Sequence, residues 1–102
     1  SGAEARLEGA RLEAEAEVRT TSAQFEASAI RLTAANQGAV AAREAYRLAR
    51  IGYEAGRTPL FELLGTRRAL TEAELRLLDA RLDRVRAQAS LARLAGRLPF
   101  TE

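Results

Sequence analysis

Apolar residues return along this chain at helical spacing, and they do so on two lines at once. Val18, Phe25, Leu32, Ala39, Tyr46 and Tyr53 recur every seven residues, and Thr21, Ser28, Ala35, Ala42, Ala49 and Gly56 follow three places behind each of them. Together they form one a/d seam, with large residues on one line and small ones on the other, as in a coiled coil. A second set, Ala23, Ala27, Ile30, Ala34, Ala41, Leu48, Ile51 and Ala55, falls on nearly the opposite face. The pattern repeats beyond residue 60. Leu63, Thr66, Leu70, Ala73, Leu77, Ala80, Ala87, Leu91 and Leu94 make one seam, interrupted by Arg84, and Phe61, Leu64, Leu75, Leu78, Leu82, Val85, Ala89 and Ala92 make another. An isolated two-helix coiled coil needs one seam per helix. Two seams per helix call for neighbours on both sides, as in a wall of helices: a bundle, a sheet-like array or a closed α-barrel. A broad apolar stripe in an ordinary three- or four-helix bundle has the same periodicity, so the pattern leaves both arrangements open.

The punctuation divides the chain in two. Its only prolines are Pro59 and Pro99. A long helix is predicted over 3–55, a tip turn over 56–58, a second helix over 59–95 and a C-terminal tail over 96–102, all one hairpin unit. Ser1-Gly2 reads as a cloning scar ahead of a piece cut from a longer protein. Gly56 suits the left-handed position after a helix C-terminus. Thr58 suits an N-cap, Pro59 the first helical position, and Gly96 with Pro99 a helix stop. At 1.5 Å per residue the helices span roughly 80 and roughly 55 Å. Folding about Arg57 sets Ala95 opposite Arg19 and leaves the first ~16 residues without an intrachain partner. The predicted fold class is all-α, a long antiparallel two-helix coiled-coil hairpin.

Composition agrees and removes most chemistry. Of 102 residues, 66 are Ala, Arg, Leu or Glu, a bias typical of long helices. There is no Cys, His, Met, Trp or Lys, so the usual zinc ligand sets and acid–base or nucleophilic dyads cannot be built. No enzyme, cofactor or metal site is expected. Asp79 and Asp83 share a helix face, but two carboxylates ligate a transition metal weakly. Net charge is +2, and Arg alternates with Glu as on a solvated helix surface. A nucleic-acid partner would call for a concentrated basic face, and none is expected. No apolar run approaches the ~20 residues of a membrane helix and no alternating strand segment appears, so this stretch is not expected to span a membrane itself.

At the turn the residues become specific. The run Tyr46-Arg47-Leu48-Ala49-Arg50-Ile51-Gly52-Tyr53-Glu54-Ala55-Gly56-Arg57-Thr58-Pro59-Leu60-Phe61-Glu62-Leu63-Leu64 resembles the periplasmic hairpin of TolC-like outer-membrane efflux proteins, in which a tyrosine, a turn glycine and an apolar pair follow at this spacing. The stretches 68–73 and 91–96 and the lead-in Glu15-Ala16-Glu17-Val18-Arg19 are similar to the family too, so the likeness runs through nearly all of 3–100. Its tone is nearest to the heavy-metal (CzcC/CusC-like) branch. The resemblance implies a trimer with an outer-membrane β-barrel and a periplasmic α-barrel of twelve helices, two hairpins from each protomer. This chain would then be one hairpin of the tunnel wall in a cell outer-membrane duct. Its partners would be the other protomers, a periplasmic adaptor and an inner-membrane pump, and the likeness to the heavy-metal branch implies export of metal cations.

Residue by residue, the resemblance makes Gly56, Arg57 and Thr58 the adaptor-docking tip, where a turn rich in backbone and poor in side-chain bulk admits close approach. The bland alternative is that Gly and Thr-Pro merely make the turn. Tyr53 matches the tyrosine that holds the tunnel entrance closed, yet on pattern alone it only continues the seam. Arg57 follows the turn glycine one place nearer than the arginine of the efflux archetype. The helix-packing seam is expected to rest on Val18, Phe25, Leu32, Tyr46, Leu63, Leu70, Leu77 and Leu91. Arg43, Arg47, Arg50 and Arg57 make the tip end basic, which suits either a solvated helix end or an acidic adaptor. Arg84 either pairs with an acid or lays its stem over apolar surface. Two rival readings are the coiled-coil hairpin of a periplasmic adaptor, whose tip pattern of Arg, a Leu four places on and a later Ser is missing around Gly56, and a cytoplasmic dimerisation or spacer module.

Overall fold

A computed structural model describes residues 1–98. Two helices, α1 (Gly2–Glu54) and α2 (Leu60–Arg97), fold back on each other, and no strand occurs among the described residues. The molecule is a rod, 81 × 26 × 13 Å. Its length is that of α1, since 53 helical residues rise about 80 Å. The predicted all-α antiparallel hairpin is the fold.

Each helix end has a local cause. Ser1 opens α1 with a capping box: its hydroxyl accepts from the Glu4 N–H while the Glu4 side chain returns to the Ser1 backbone. The helix therefore begins at Gly2. At the other end the Arg57 N–H donates to the Gly52 carbonyl at 2.8 Å and the Gly56 N–H to the Tyr53 carbonyl at 3.0 Å. This pair of bonds is a Schellman closure, with Gly56 in the left-handed region at φ 76°. The start of α2 departs from the sequence reading. Pro59, at φ −70° and ψ 155°, is the N-cap and Leu60 the first helical residue, and Thr58 caps nothing because its side chain turns back onto Gly52. Gly96 does not stop α2, which runs to Arg97. Leu98 is extended at ψ 131°, the geometry that a following proline imposes on its predecessor. Pro99 and the rest of the predicted tail lie outside the described residues.

The two helices pack along one seam. On α2 that seam is Leu63, Thr66, Leu70, Ala73, Leu77, Ala80, Arg84, Ala87, Leu91 and Leu94, all buried or half-buried. On α1 it is Val18, Thr21, Phe25, Ser28, Leu32, Ala35, Ala39, Ala42, Tyr46 and Ala49, likewise. The tightest part gathers Ala39, Ala73 and Leu77, with Leu32, Ala35 and Ala42 packed against them. Ala35, Ala39 and Ala42 of α1 meet Ala73 and Leu77 of α2 there, and small residues on both sides bring the axes close. Two hydroxyls inside the seam satisfy themselves locally: Ser28 Oγ donates to the Phe25 carbonyl and Thr66 Oγ1 to the Leu63 carbonyl, both at 2.7 Å. The cross-helix ion pairs Arg97–Glu17 and Arg31–Asp83, each 2.6 Å, lie in the register that sets Ala95 opposite Arg19.

Candidate functional site: the tip and the outer apolar lines

The tip is built by one residue of α1 and one of the turn. The Gly52 carbonyl accepts from both Arg57 N–H at 2.8 Å and Thr58 N–H at 3.1 Å. A Cβ on Gly52 would collide with the Thr58 hydroxyl and lie 3.2 Å from the Thr58 Cβ. Gly52 is accordingly buried, and it takes the seam position that the heptad count assigns to Tyr53. Here the structure corrects the sequence pattern. An α-helix has 3.6 residues per turn, so a strict seven-residue line drifts off the contact face, and by the tip the drift has carried Tyr53 outward to 41% exposure. Gly56 and Arg57 are exposed and Thr58 is half-buried against Gly52.

Arg84 resolves in a way neither sequence alternative foresaw. It pairs with no acid among the described residues. One guanidinium nitrogen donates to the Phe25 carbonyl at 2.9 Å and to Ser28 Oγ at 3.3 Å, and the guanidinium carbon stands 4.0 Å from the centre of the Phe25 ring. The cation thus closes the seam by stacking and by capping a carbonyl already shared with Ser28. Near the tip, Arg67 lies 5.4 Å over the Tyr46 ring.

The second apolar line of each helix stays in solvent. Ile30 is 71% exposed on α1 and Phe61 is 78% exposed on α2. Leu48 and Ile51 join the first, and Leu64, Leu75, Leu78, Leu82 and Val85 the second. Each helix therefore presents a further packing face apart from the seam already filled. The first turns of α1 also overhang α2, with Leu7 and Leu12 exposed.

Part of the charge on the shaft is paired. Arg11 sits between Glu8 and Glu15, and the hydrogen bond to Glu8 raises its already high pKa. The Arg47 guanidinium, hydrogen-bonded to Glu44, holds that carboxyl below the usual glutamate value. Among the described residues no three acidic side chains gather to hold a metal ion, and no helix is long and apolar enough to cross a membrane. Geometry of this kind can pack, line and dock. A family model described as outer membrane efflux protein matches residues 1–97. No curated protein and no solved structure matches the chain.

Proposed function

The chain belongs to the outer membrane efflux protein family, whose members are export ducts and not enzymes, and from that premise we propose that this hairpin is a periplasmic segment of the duct wall that meets a periplasmic adaptor with its tip. One observation carries the reading. A free-standing hairpin would bury its apolar positions in one seam, whereas this one keeps a second line of large apolar residues exposed on both helices. A wall of helices needs both lines, because every member has a neighbour on either side. Family members form trimeric ducts that work with adaptors, so the second line of α1 and that of α2 would pack on other hairpins of the same trimer. The overhanging start of α1 would continue toward the barrel.

In this reading the shaft is a passive lining. The cargo class is heavy-metal cations, on the overall likeness of the chain to that branch, and choice of cargo belongs to the inner-membrane pump and the adaptor of a tripartite system. Gly56, Arg57 and Thr58 form the docking end. Tyr53, exposed one turn before the tip, would hydrogen-bond a neighbouring helix of the duct and, with Arg57, narrow the entrance. The test is crosslinking in cells of the full-length parent with its own cysteines removed and Thr58→Cys introduced. Capture of a periplasmic adaptor through that adaptor's hairpin tip is the expected result. An introduced thiol that periplasmic reagents cannot reach, and that captures only cytoplasmic proteins, would sink the proposal.

A further inference from the structure

The excess positive charge of this molecule is confined to one end. Residues 43–68 carry six arginines, Arg43, Arg47, Arg50, Arg57, Arg67 and Arg68, against three acids, Glu44, Glu54 and Glu62. The other described residues hold ten arginines and ten acids. Ion pairs do not cancel the excess. Arg47 takes Glu44 at 2.6 Å and Arg50 takes Glu54 at 3.7 Å. Arg43, Arg57, Arg67 and Arg68 have no carboxylate within 4.0 Å among the described residues. Helix dipoles do not offset it either, because the C-terminus of α1 and the N-terminus of α2 lie side by side and their partial charges oppose.

Resting on the docking reading above, we infer that the tip selects a protein partner whose docking surface is acidic. Guanidinium forks pair bidentately with carboxylates, and a positive end on a neutral shaft orients an acidic surface toward the tip before contact. The arrangement favours a protein over a lipid headgroup layer. Arg57 stands in the turn, while Arg68 lies about 12 Å and Arg43 about 17 Å up the shaft by helix rise. A flat bilayer met end-on reaches the first and not the others, whereas a partner with depth flanks all of them. Beside them Val40 and Tyr46 set apolar surface among Arg43, Glu44, Arg47 and Arg50 on α1, which offers apolar contact as well as charge to a polypeptide.

The experiment uses the full-length parent with Thr58→Cys, crosslinked at about 50 and about 300 mM NaCl, a range over which surface attraction is strongly screened. One variant adds Arg43→Gln, Arg57→Gln and Arg68→Gln; a control of equal charge adds Arg6→Gln, Arg81→Gln and Arg86→Gln. The expected result is an adduct that falls several-fold with salt, falls at least about tenfold in the tip variant at low salt and is unchanged in the control. Peptide mapping should place it in an acidic segment of the captured protein. An adduct equal in tip variant and parent, insensitive to salt yet abolished by Gly56→Trp, overturns the acidic partner and leaves docking intact. An adduct indifferent to Gly56→Trp as well removes the docking reading itself. Sedimentation with phosphatidylglycerol vesicles that depends on the three tip arginines, with the protein adduct unaffected, would assign the charge to lipid and overturn the inference.

Discussion

Gly52 and Gly38 are both helical glycines of α1, and the structure gives them opposite meanings. A side chain on Gly38 would meet nothing within 4 Å, whereas one on Gly52 would strike Thr58. Gly38→Ala should raise the stability of this chain by roughly 0.5–1 kcal/mol through helix propensity. Gly52→Ala should lower it by roughly 1–3 kcal/mol, because the overpacked contact outweighs the same propensity gain. Urea unfolding followed by circular dichroism reads both, and adding Thr58→Gly to Gly52→Ala should recover most of the loss; a stabilising Gly52→Ala would refute the account of the tip. Arg84 makes a second residue-scale case. A double-mutant cycle of Arg84→Ala and Phe25→Ala should return a coupling of about 0.5–1.5 kcal/mol, and a coupling near zero would mean the stacking contributes nothing. The leucine seam shows in the sequence that Arg84 is unusual. What it bonds to is not visible there, because its partners are a carbonyl and a ring 59 residues away in the chain.

At the scale of the elements, adjacent leucines separate the two faces of α2. Leu77 is 5% exposed and Leu78 is 51%. Leu77→Ala should cost this chain about 2–4 kcal/mol, and Leu78→Ala less than about 1 kcal/mol, as half-exposed positions do. The proposed duct reverses the emphasis, since Leu78 then faces another hairpin and its loss should weaken trimer assembly in detergent. Equal effects of the two substitutions on the isolated chain would show that the face assignment is wrong. Near the end of α1, the hydrogen bond from Arg47 lowers the Glu44 pKa, so the contribution of this pair is present above the usual glutamate pKa and is lost as pH falls through the lowered value. In a carboxyl-detected NMR titration Glu44 should have a midpoint below that of an unpaired glutamate, and Arg47→Gln should return it to the ordinary value. The pair lies at the surface, and its effect on stability should be slight and salt-sensitive.

For the whole molecule, stability is distributed by where the second helix reaches. Beyond the Arg97–Glu17 pair the start of α1 has no described partner, and a helix turn held only by its own bonds is marginal in water. Amide exchange should therefore be fast over residues 2–14 and slowest around Leu32–Ala42, beside the Ala39–Ala73–Leu77 cluster. Protection of the overhang equal to that of the cluster would indicate that another molecule already covers it. The same rod carries its apolar lines along the sides and its charge excess at one end, an arrangement that lets lateral packing and end-on docking use separate surfaces.

The hairpin and its pairing register follow from sequence alone, because heptad spacing, a Gly-x-x-Pro break and simple helix rise are local or linear properties. The two apolar lines were likewise legible, since each depends only on periodicity. Which line is filled within the chain and which is left open depended on how α2 lies across α1, a contact between residues far apart in sequence. The tip was decided by tertiary structure for the same reason. Gly52 replaces Tyr53 in the seam, Pro59 replaces Thr58 as the cap and Arg84 finds Phe25, each because the space and the bonding partner are supplied by the other helix or the turn.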